Sequence, residues 1–353
     1  MTSARSSIVF VASLLTGLAA HASTDLPRVR VIATGGTIAG SQASASGVGY
    51  RSGVYDVGKL IDAVPELGRL ASISGEQLVS IGSQDMSDEV WLMLAQRVEA
   101  ALQSPEVDAV LITHGTDTLE ETSYFLSLVV QSTKPVVMVG SMRPATAVSA
   151  DGPGNLYDGV TVATSPQARG KGTLVCLNDT IHYARNVVKT DTTSVQTFSS
   201  PNRGPAGVVH DGRIQWFEPM DRKFGAAAGF AVQRLTALPR VDIIYAHANM
   251  SADLIEAAVR NGARGIVVAG VGNGNMSRPA LEALRKAAQG GVAVVRSTRL
   301  PMGLTLRNNE VNDDEMGFVA SGELNPPKSR VLLQLALTKT SDPQSIQAMF
   351  NEY

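Results

Sequence analysis

The sequence predicts an α/β fold: a larger N-terminal domain with a mostly parallel sheet flanked by helices, and a smaller C-terminal α/β domain with its own parallel sheet. Three observations carry that expectation. Short runs rich in Val, Ile and Leu recur along the 353 residues, those of the first half closing on Gly, Thr or Asn, as strands buried on both faces do. Stretches with apolar residues at helical spacing lie between them, the alternation a helix-covered parallel sheet requires. The pattern loosens over 218–240 and then resumes, so the expected organisation is 23–217, a linker at 218–240, and 241–353.

The N-terminal strands are expected at 29–33, ending on Thr34-Gly35-Gly36-Thr37, and at 77–81, ending on Gly82-Ser83-Gln84-Asp85. The next are at 107–112, before Thr113-His114-Gly115-Thr116-Asp117; at 136–139, before Gly140-Ser141; and at 173–177, before Asn178-Asp179. Val90, Leu94, Val98 and Leu102 share one helical face behind a cap at Ser87, and Tyr124, Phe125, Leu128 and Val129 mark another helix. Right-handed crossovers would then put every strand's C-terminal end on one edge of the sheet. In the second half, strands are expected at 241–245, 266–269 and 292–295, with helices around 254–259 and around Leu281, Leu284 and Ala288, the latter capped by Ser277. A helix around 330–337 follows. A last one starts at Ser341, with Pro343 in its first turn and Gln344 completing a capping box; Ile346, Met349 and Phe350 give it a face to bury.

Composition narrows the function classes. Apolar residues make up 44% and charged residues 18%, the mix of an ordinary globular protein. Thirty basic against thirty-two acidic side chains give a net charge of -2, so no basic field exists to hold a phosphate backbone, and nucleic acid is not an expected partner. The single cysteine, Cys176, allows no intrachain disulfide, and aromatic residues are only 5%, so packing of aliphatic side chains must hold the fold. Residues 1–22 read as a secretory signal. Arg5 is the only charge before Asp25, residues 8–18 are mostly apolar, and Ala20-His21-Ala22 has the small-x-small form of a cleavage site after Ala22. That apolar stretch is too short to span a bilayer of ~30 Å as a helix. The expectation is export to the periplasm without membrane association.

On an open α/β sheet, chemistry belongs at the C-terminal ends of the strands. Thr34-Gly35-Gly36-Thr37-Ile38-Ala39-Gly40 lacks both the G-x-G-x-x-G spacing and a P-loop lysine, so it reads poorly as a nucleotide loop. Its paired glycines permit a sharp turn that presents Thr37, or simply lets Thr37 cap the next element. The Ser, Ala and Gly of 41–53 suit either a lid carrying Tyr50 or a plain surface loop. Asp117, set between Thr116 and Thr118, either binds a cationic amine or caps the following helix. His114 reads as a hydrogen-bonded structural residue. Lys189 in its hydroxyl-rich run is either a surface residue or, if packed beside Thr116, a base. No H-x-x-x-H or C-x-x-C spacing supports a metal.

These stretches together resemble the bacterial L-asparaginase family of the periplasmic, high-affinity type, including its glutaminase-asparaginase members. The likeness covers about 28–353. It rests on the Thr34-Gly35-Gly36-Thr37-Ile38-Ala39-Gly40, Gly82-Ser83-Gln84-Asp85-Met86 and Thr113-His114-Gly115-Thr116-Asp117-Thr118 segments. Met142-Arg143-Pro144, Ser149-Ala150-Asp151-Gly152, Asn178-Asp179-Thr180 and Val268-Ala269-Gly270-Val271-Gly272-Asn273-Gly274 add to it. The resemblance implies hydrolysis of the side-chain amide of free L-asparagine to L-aspartate and ammonia, without metal or cofactor. It makes Thr37 the nucleophile, Tyr50 its partner in a lid, and Thr116, Asp117 and Lys189 a second catalytic cluster. It assigns Ser83, Gln84 and Asp117 to the substrate, and matches Asn249 and Glu310 to an amide and a carboxylate that come from a neighbouring subunit. It further implies a homotetramer, a dimer of intimate dimers with sites at the intimate interface. Ser141 lies where the family varies between alanine and serine and leaves L-glutamine open as a second substrate. The disulfide of some members is excluded by the lone Cys176. Two rival readings stand beside this one: a glutaminase-asparaginase with glutamine as a main substrate, and a non-catalytic periplasmic binding protein for amino acids.

Overall fold

Burial on both faces decides the centre of the first sheet. In the computed structural model, which describes residues 26–43, 49–217 and 219–353, Val29, Val31 and Ala33 face one core cluster while Ile32 faces the other. Ala109 and Leu111 likewise oppose Val110 and Ile112, and Val137 and Val139 oppose Val136 and Met138. Strands apolar on both sides need cover on both sides. The expected leader at 1–22 lies outside the described residues, as does part of the expected lid, 44–48.

The chain runs β1 (Arg28–Gly35), α1 (Val57–Asp62), α2 (Leu67–Leu70), β2 (Ser72–Ile81), α3 (Asp88–Gln103), β3 (Ala109–Thr113), α4 (Leu119–Val129), β4 (Val136–Val139), α5 (Gly152–Thr164) and β5 (Thr173–Leu177). It continues with β6 (Thr180–Tyr183), the short pair β7 (Val188–Lys189) and β8 (Phe198–Ser199), then β9 (Gly207–His210) and β10 (Arg213–Trp216). These strands form an eight-stranded sheet in the order β10-β9-β6-β5-β4-β3-β1-β2, with β7 and β8 paired apart from it. The five strands from β5 to β2 are parallel. Helix α3 forms as its sequence suggests: Ser87 Oγ accepts the Val90 N–H, and Leu94, Val98 and Leu102 are buried. Burying each such side chain contributes about 1.5–3 kcal/mol, against about 1 kcal/mol for the cap, so packing fixes this helix and the cap sets its start.

Beyond the segment 219–240, which holds two 3₁₀ turns, come β11 (Val241–Tyr245), α6 (Asp253–Arg260), β12 (Gly265–Gly270), α7 (Arg278–Gln289), β13 (Ala293–Thr298), α8 (Asp313–Met316), β14 (Phe318–Ala320), α9 (Pro326–Leu337) and α10 (Pro343–Glu352). Strands β11 to β14 form a parallel four-stranded sheet in chain order. Helix α9 packs on β11, β12 and β13 and also on α4, so one apolar core runs continuously between the two sheets.

Two expectations need correction. Strands β6, β9 and β10 pair antiparallel with their neighbours, so β6 and β10 run against the parallel set and their C-terminal ends do not join the common edge. Asn178 and Asp179 both take positive φ (48° and 60°), the two-residue turn that folds β5 back into β6 instead of ending the sheet. The last helix is capped by Asp342 rather than Ser341: the Asp342 carboxylate accepts both the Ser345 N–H and its hydroxyl, which puts Pro343 at the first helical position.

The parallel order β2-β1-β3 brings the ends of β1 and β3 side by side, with Ala33 opposite Thr113. Beyond them Gly36, at φ 81°, lies so close to Gly115 that a Cβ on Gly36 would sit 2.4 Å from the Gly115 backbone. Only glycine tolerates both the φ and the approach. Gly36→Ala is expected to lower stability in urea unfolding by about 2 kcal/mol or more. Gly154→Ala, whose new methyl would meet nothing in α5, should leave stability unchanged or raise it slightly; equal effects of the two substitutions would contradict the tight contact.

Candidate active site

The chain leaves β1 for β2 on one side and returns to β3 on the other. Connections from β1 and β3 therefore diverge onto opposite faces and open a crevice at the C-terminal ends of these two strands. Thr37 begins a 3₁₀ turn (Thr37–Ala39) on one wall, almost fully buried, with its Oγ1 2.7 Å from the Tyr50 hydroxyl. Tyr50 is 46% exposed and sits at the base of the 41–53 loop, where Ser41 and Arg51 exchange two backbone hydrogen bonds of 3.0 Å. Its ring therefore reaches Thr37 from the solvent side.

The other wall follows β3. Lys189 Nζ donates to Thr116 Oγ1 at 3.0 Å and to Asp117 Oδ1 at 2.6 Å. Asp117 does not cap α4, the alternative its sequence position allowed: Thr118 is the N-cap residue and makes no side-chain cap bond, while the Asp117 carboxylate turns to the lysine. The reason is electrostatic, since an ammonium at hydrogen-bond distance outweighs a neutral N–H. Ser83 closes the floor between the walls. Its Oγ accepts the Asp117 N–H at 3.1 Å, its carbonyl accepts the Thr118 hydroxyl at 2.8 Å, and it packs against Gly115. Gln84, in the same 3₁₀ turn, folds its amide back over Gly82 and is exposed. The structure thus gathers Thr37, Tyr50, Ser83, Thr116, Asp117 and Lys189 at adjoining strand ends. The Asp117 side chain is 59% exposed and Lys189 18%, which leaves the crevice open on one side.

Lys189 is held from behind. Its N–H donates to Glu120 Oε2 at 3.1 Å, Asn325 Nδ2 donates to Glu120 Oε1 at 3.1 Å, and the fully buried Lys328 lies 3.6 Å from Glu120 while its ammonium bonds the Val187 carbonyl. Burial lowers the pKa of Lys328, and Glu120 opposes that shift. This pair ties α9, beyond the first sheet, to the strand that carries the site lysine.

Glu310 and Asn249 lie in the second half of the chain, and no hydrogen bond among the described residues joins either to the Thr37 or Thr116 groups. Asn249 occupies an exposed turn after β11 with φ 59°. The amide that meets Glu310 belongs instead to Asn275, whose Nδ2 donates to Glu310 Oε2 at 2.6 Å and whose Oδ1 is buried without a partner. Sequence reasoning missed Asn275; the repeated Gly-Asn of 272–275 was the available signal. Among the described residues no cluster of His, Cys, Asp or Glu gathers closely enough to hold a metal ion.

Comparison with known proteins agrees along the whole of this architecture. A family profile described as the asparaginase N-terminal domain matches residues 28–222, and one described as the glutaminase/asparaginase C-terminal domain matches residues 240–350. The chain is 50% identical over 337 residues to the probable periplasmic L-asparaginase of Haemophilus influenzae, covering 96% of each chain. It is 50% identical over 343 residues to L-asparaginase 2 of Escherichia coli, covering 97% of this chain and 98% of that one. To the glutaminase-asparaginase of Pseudomonas fluorescens it is 43% identical over 332 residues, covering 94% and 91%.

Two buried histidines add a pH dependence. His114, directly after β3, donates one 2.7 Å bond from Nδ1 to the Gly115 carbonyl, and its Nε2 has no partner; burial pushes its pKa down to about 4. His182 in β6 bonds Ser200 at 2.9 Å and is likewise pushed down to about 4 by burial, with Lys328 adding to the shift. A depressed histidine pKa means that the unfolded chain binds a proton the folded one refuses. Stability is therefore complete above the ordinary value of 6.5 and falls as the pH drops towards 4, by about 3 kcal/mol for each group. Urea unfolding at pH 7 and pH 4.5 checks this: His114→Asn should lose about 2 kcal/mol less than the parent between the two, and an unchanged pH dependence would contradict it.

Proposed function

On the footing that the chain belongs to the asparaginase family, we propose that it hydrolyses the side-chain amide of free L-asparagine to L-aspartate and ammonia, with the Thr37 hydroxyl as nucleophile. The observation that carries the reading is the meeting of two hydroxyl groups at one crevice: Thr37 with Tyr50 on one wall, and Thr116 with Lys189 and Asp117 on the other. A threonine hydroxyl is weakly nucleophilic and needs a neighbouring group to take its proton; Tyr50 is the group within reach.

In the proposed sequence Thr37 Oγ1 attacks the amide carbon and its proton passes to the departing nitrogen by way of Tyr50. The C–N bond breaks, ammonia leaves, and water then releases aspartate from the acyl-enzyme. Lys189 polarises Thr116, and the Asp117 carboxylate stabilises the positive charge on the lysine. Backbone N–H groups of the two turns meet the oxyanion, where one such donor typically contributes ~3 kcal/mol to the transition state. Ser83 and Gln84 bind the α-carboxylate, and Asp117 binds the α-ammonium together with Glu310 of a neighbouring subunit. That shared site requires an assembly, proposed as a homotetramer of intimate dimers. The openness of the crevice beside Asp117 supports it, as does the run of half-exposed Leu300, Met302, Leu304 and Leu306 leading to Glu310. Residues 23–217 and 241–353 are proposed as the two domains, with 218–240 as linker. The proposed compartment is the periplasm, supported by the leader-like residues 1–22 and the periplasmic relative. Among the described residues no helix is long and apolar enough to cross a membrane.

The test is ammonia release from the assembled protein with free L-asparagine, one aspartate per ammonia; asparagine binding without ammonia would favour a binding protein instead. Thr37→Ala and Lys189→Met should each cut kcat about a thousandfold or more while asparagine still binds by calorimetry, and full activity in either variant would overturn its role. Glutamine is one methylene longer, which a pocket discriminates by ~1–3 kcal/mol. The higher identity to the L-asparaginases supports asparagine as the better substrate, by about tenfold or more in kcat/KM; equal efficiencies would favour a glutaminase-asparaginase.

A further inference from the structure

Arg296 is a charged side chain in the interior of β13 with no solvent exposure. Its Nε and Nη2 bind the carboxylate of the equally buried Asp313 in a fork, at 2.6 and 2.7 Å. The remaining donors do not go to the ion pair. Nη1 donates to the carbonyls of Asn273 (3.0 Å) and Gly274 (3.3 Å), and Nη2 also donates to the carbonyl of Leu306 (3.1 Å). All five N–H groups of the guanidinium are thereby used, two on Asp313 and three on two separate loops. One loop, after β12, ends at Asn275, and its Val271 and Asn275 close a turn through two 2.8 Å backbone bonds. The other leads from Leu306 to Glu310. Asp313 Oδ2 accepts the Asn308 N–H at 2.9 Å, and Asn273 Oδ1 accepts the Leu306 N–H at 2.7 Å, which fastens the loops to each other as well. Gly274 leaves the room for this: a Cβ there would sit 3.3 Å from Nη1 and closer still to Thr305.

A buried ion pair is not needed to fill this core, because apolar residues of similar volume fill such space at least as well. An arginine that ends on three loop carbonyls does something apolar residues cannot. We infer that Arg296, locked by Asp313, is the positioning residue for the Asn275–Glu310 pair, setting the half of the substrate site that each subunit lends to its neighbour. This rests on the cross-subunit site proposed above, with Asn275, the amide bonded to Glu310, taken in the place where the resemblance put Asn249. Arg296 touches neither substrate nor reacting atoms, so its loss acts on substrate binding through Glu310 and Asn275, and leaves the Thr37 and Lys189 groups of its own chain intact.

Arg296→Lys keeps the charge for Asp313 and loses the guanidinium donors that reach the two loops. It is expected to raise KM for asparagine about tenfold with kcat within about threefold of the parent. The decisive measurement uses mixed oligomers, co-expressed with two tags, of Arg296→Lys subunits with Thr37→Ala subunits in large excess, so that each Arg296→Lys subunit pairs with a Thr37→Ala one across the intimate interface. In those, the sites with an intact Thr37 receive Glu310 and Asn275 from a chain with an intact Arg296, so the parent KM should return. An unchanged KM in Arg296→Lys, or a raised KM that persists in the mixed oligomers, overturns the inference, since a general loss of stability would not be cured by the partner. Should Arg296→Lys fail to fold, Asn273→Ala removes one loop tie and leaves the ion pair whole. It must then raise KM in the same direction with the same recovery on mixing, and a parent-like KM overturns the inference. Absence of ammonia release from the parent protein would instead be a failure of the proposed activity.

Discussion

The contact on which the site depends is a backbone one: Gly36 against Gly115, at the ends of two adjacent parallel strands. Hydrogen bonding between β1 and β3 fixes their register, and the missing side chains let the loops beyond them close to van der Waals distance. Each glycine is followed directly by a threonine, Thr37 and Thr116, so the same contact that stabilises the sheet edge sets two hydroxyls at one crevice. The Ser83 floor belongs to the same arrangement, because a Cβ on Gly115 would lie 2.6 Å from its hydroxyl. Side chains at any of these points would drive the walls apart.

Around that contact the fold is layered by polarity. Aliphatic clusters on both faces of the sheet exclude water from its middle, and the hydroxyl, carboxylate and ammonium groups of the candidate site gather beyond the strand ends. Lys189 comes from a short strand outside the sheet, fastened through Glu120 and Lys328 to a helix of the second half. The two halves are therefore joined beside the candidate site as well as by apolar packing. In the second sheet Arg296 and Asp313 do for the Glu310 loop what Glu120 and Lys328 do for Lys189: a buried ion pair gives a loop its direction.

Much of this was legible in the sequence because the parallel strands are buried on both faces and stop on small polar residues. The strand at 136–139 and the one at 173–177 match the structure residue for residue, and the caps at Ser87 and Ser277 are where they were expected. The antiparallel extension was not legible. Asn178 and Asp179 look like a strand end, and only their left-handed backbone makes them a hairpin; Asp211-Gly212 carried a hairpin signal, but its flanking strands of four residues are too short to show a period. The pairing of Thr116 with Lys189, seventy-three positions apart, has no local signature, so it rested on the family resemblance. Asn275 was overlooked for a similar reason. The turn closed between Val271 and Asn275 chooses which asparagine faces Glu310, and spacing does not reveal turn geometry.

The most direct test of the common crevice is a crystal structure of the assembled protein with L-aspartate bound. The side-chain carboxyl carbon should lie between the two hydroxyls, about 3–3.5 Å from Thr37 Oγ1 and facing Thr116, with the α-carboxylate on Ser83 and the α-ammonium on Asp117. An aspartate bound elsewhere, or one that touches only a single wall, would contradict the account.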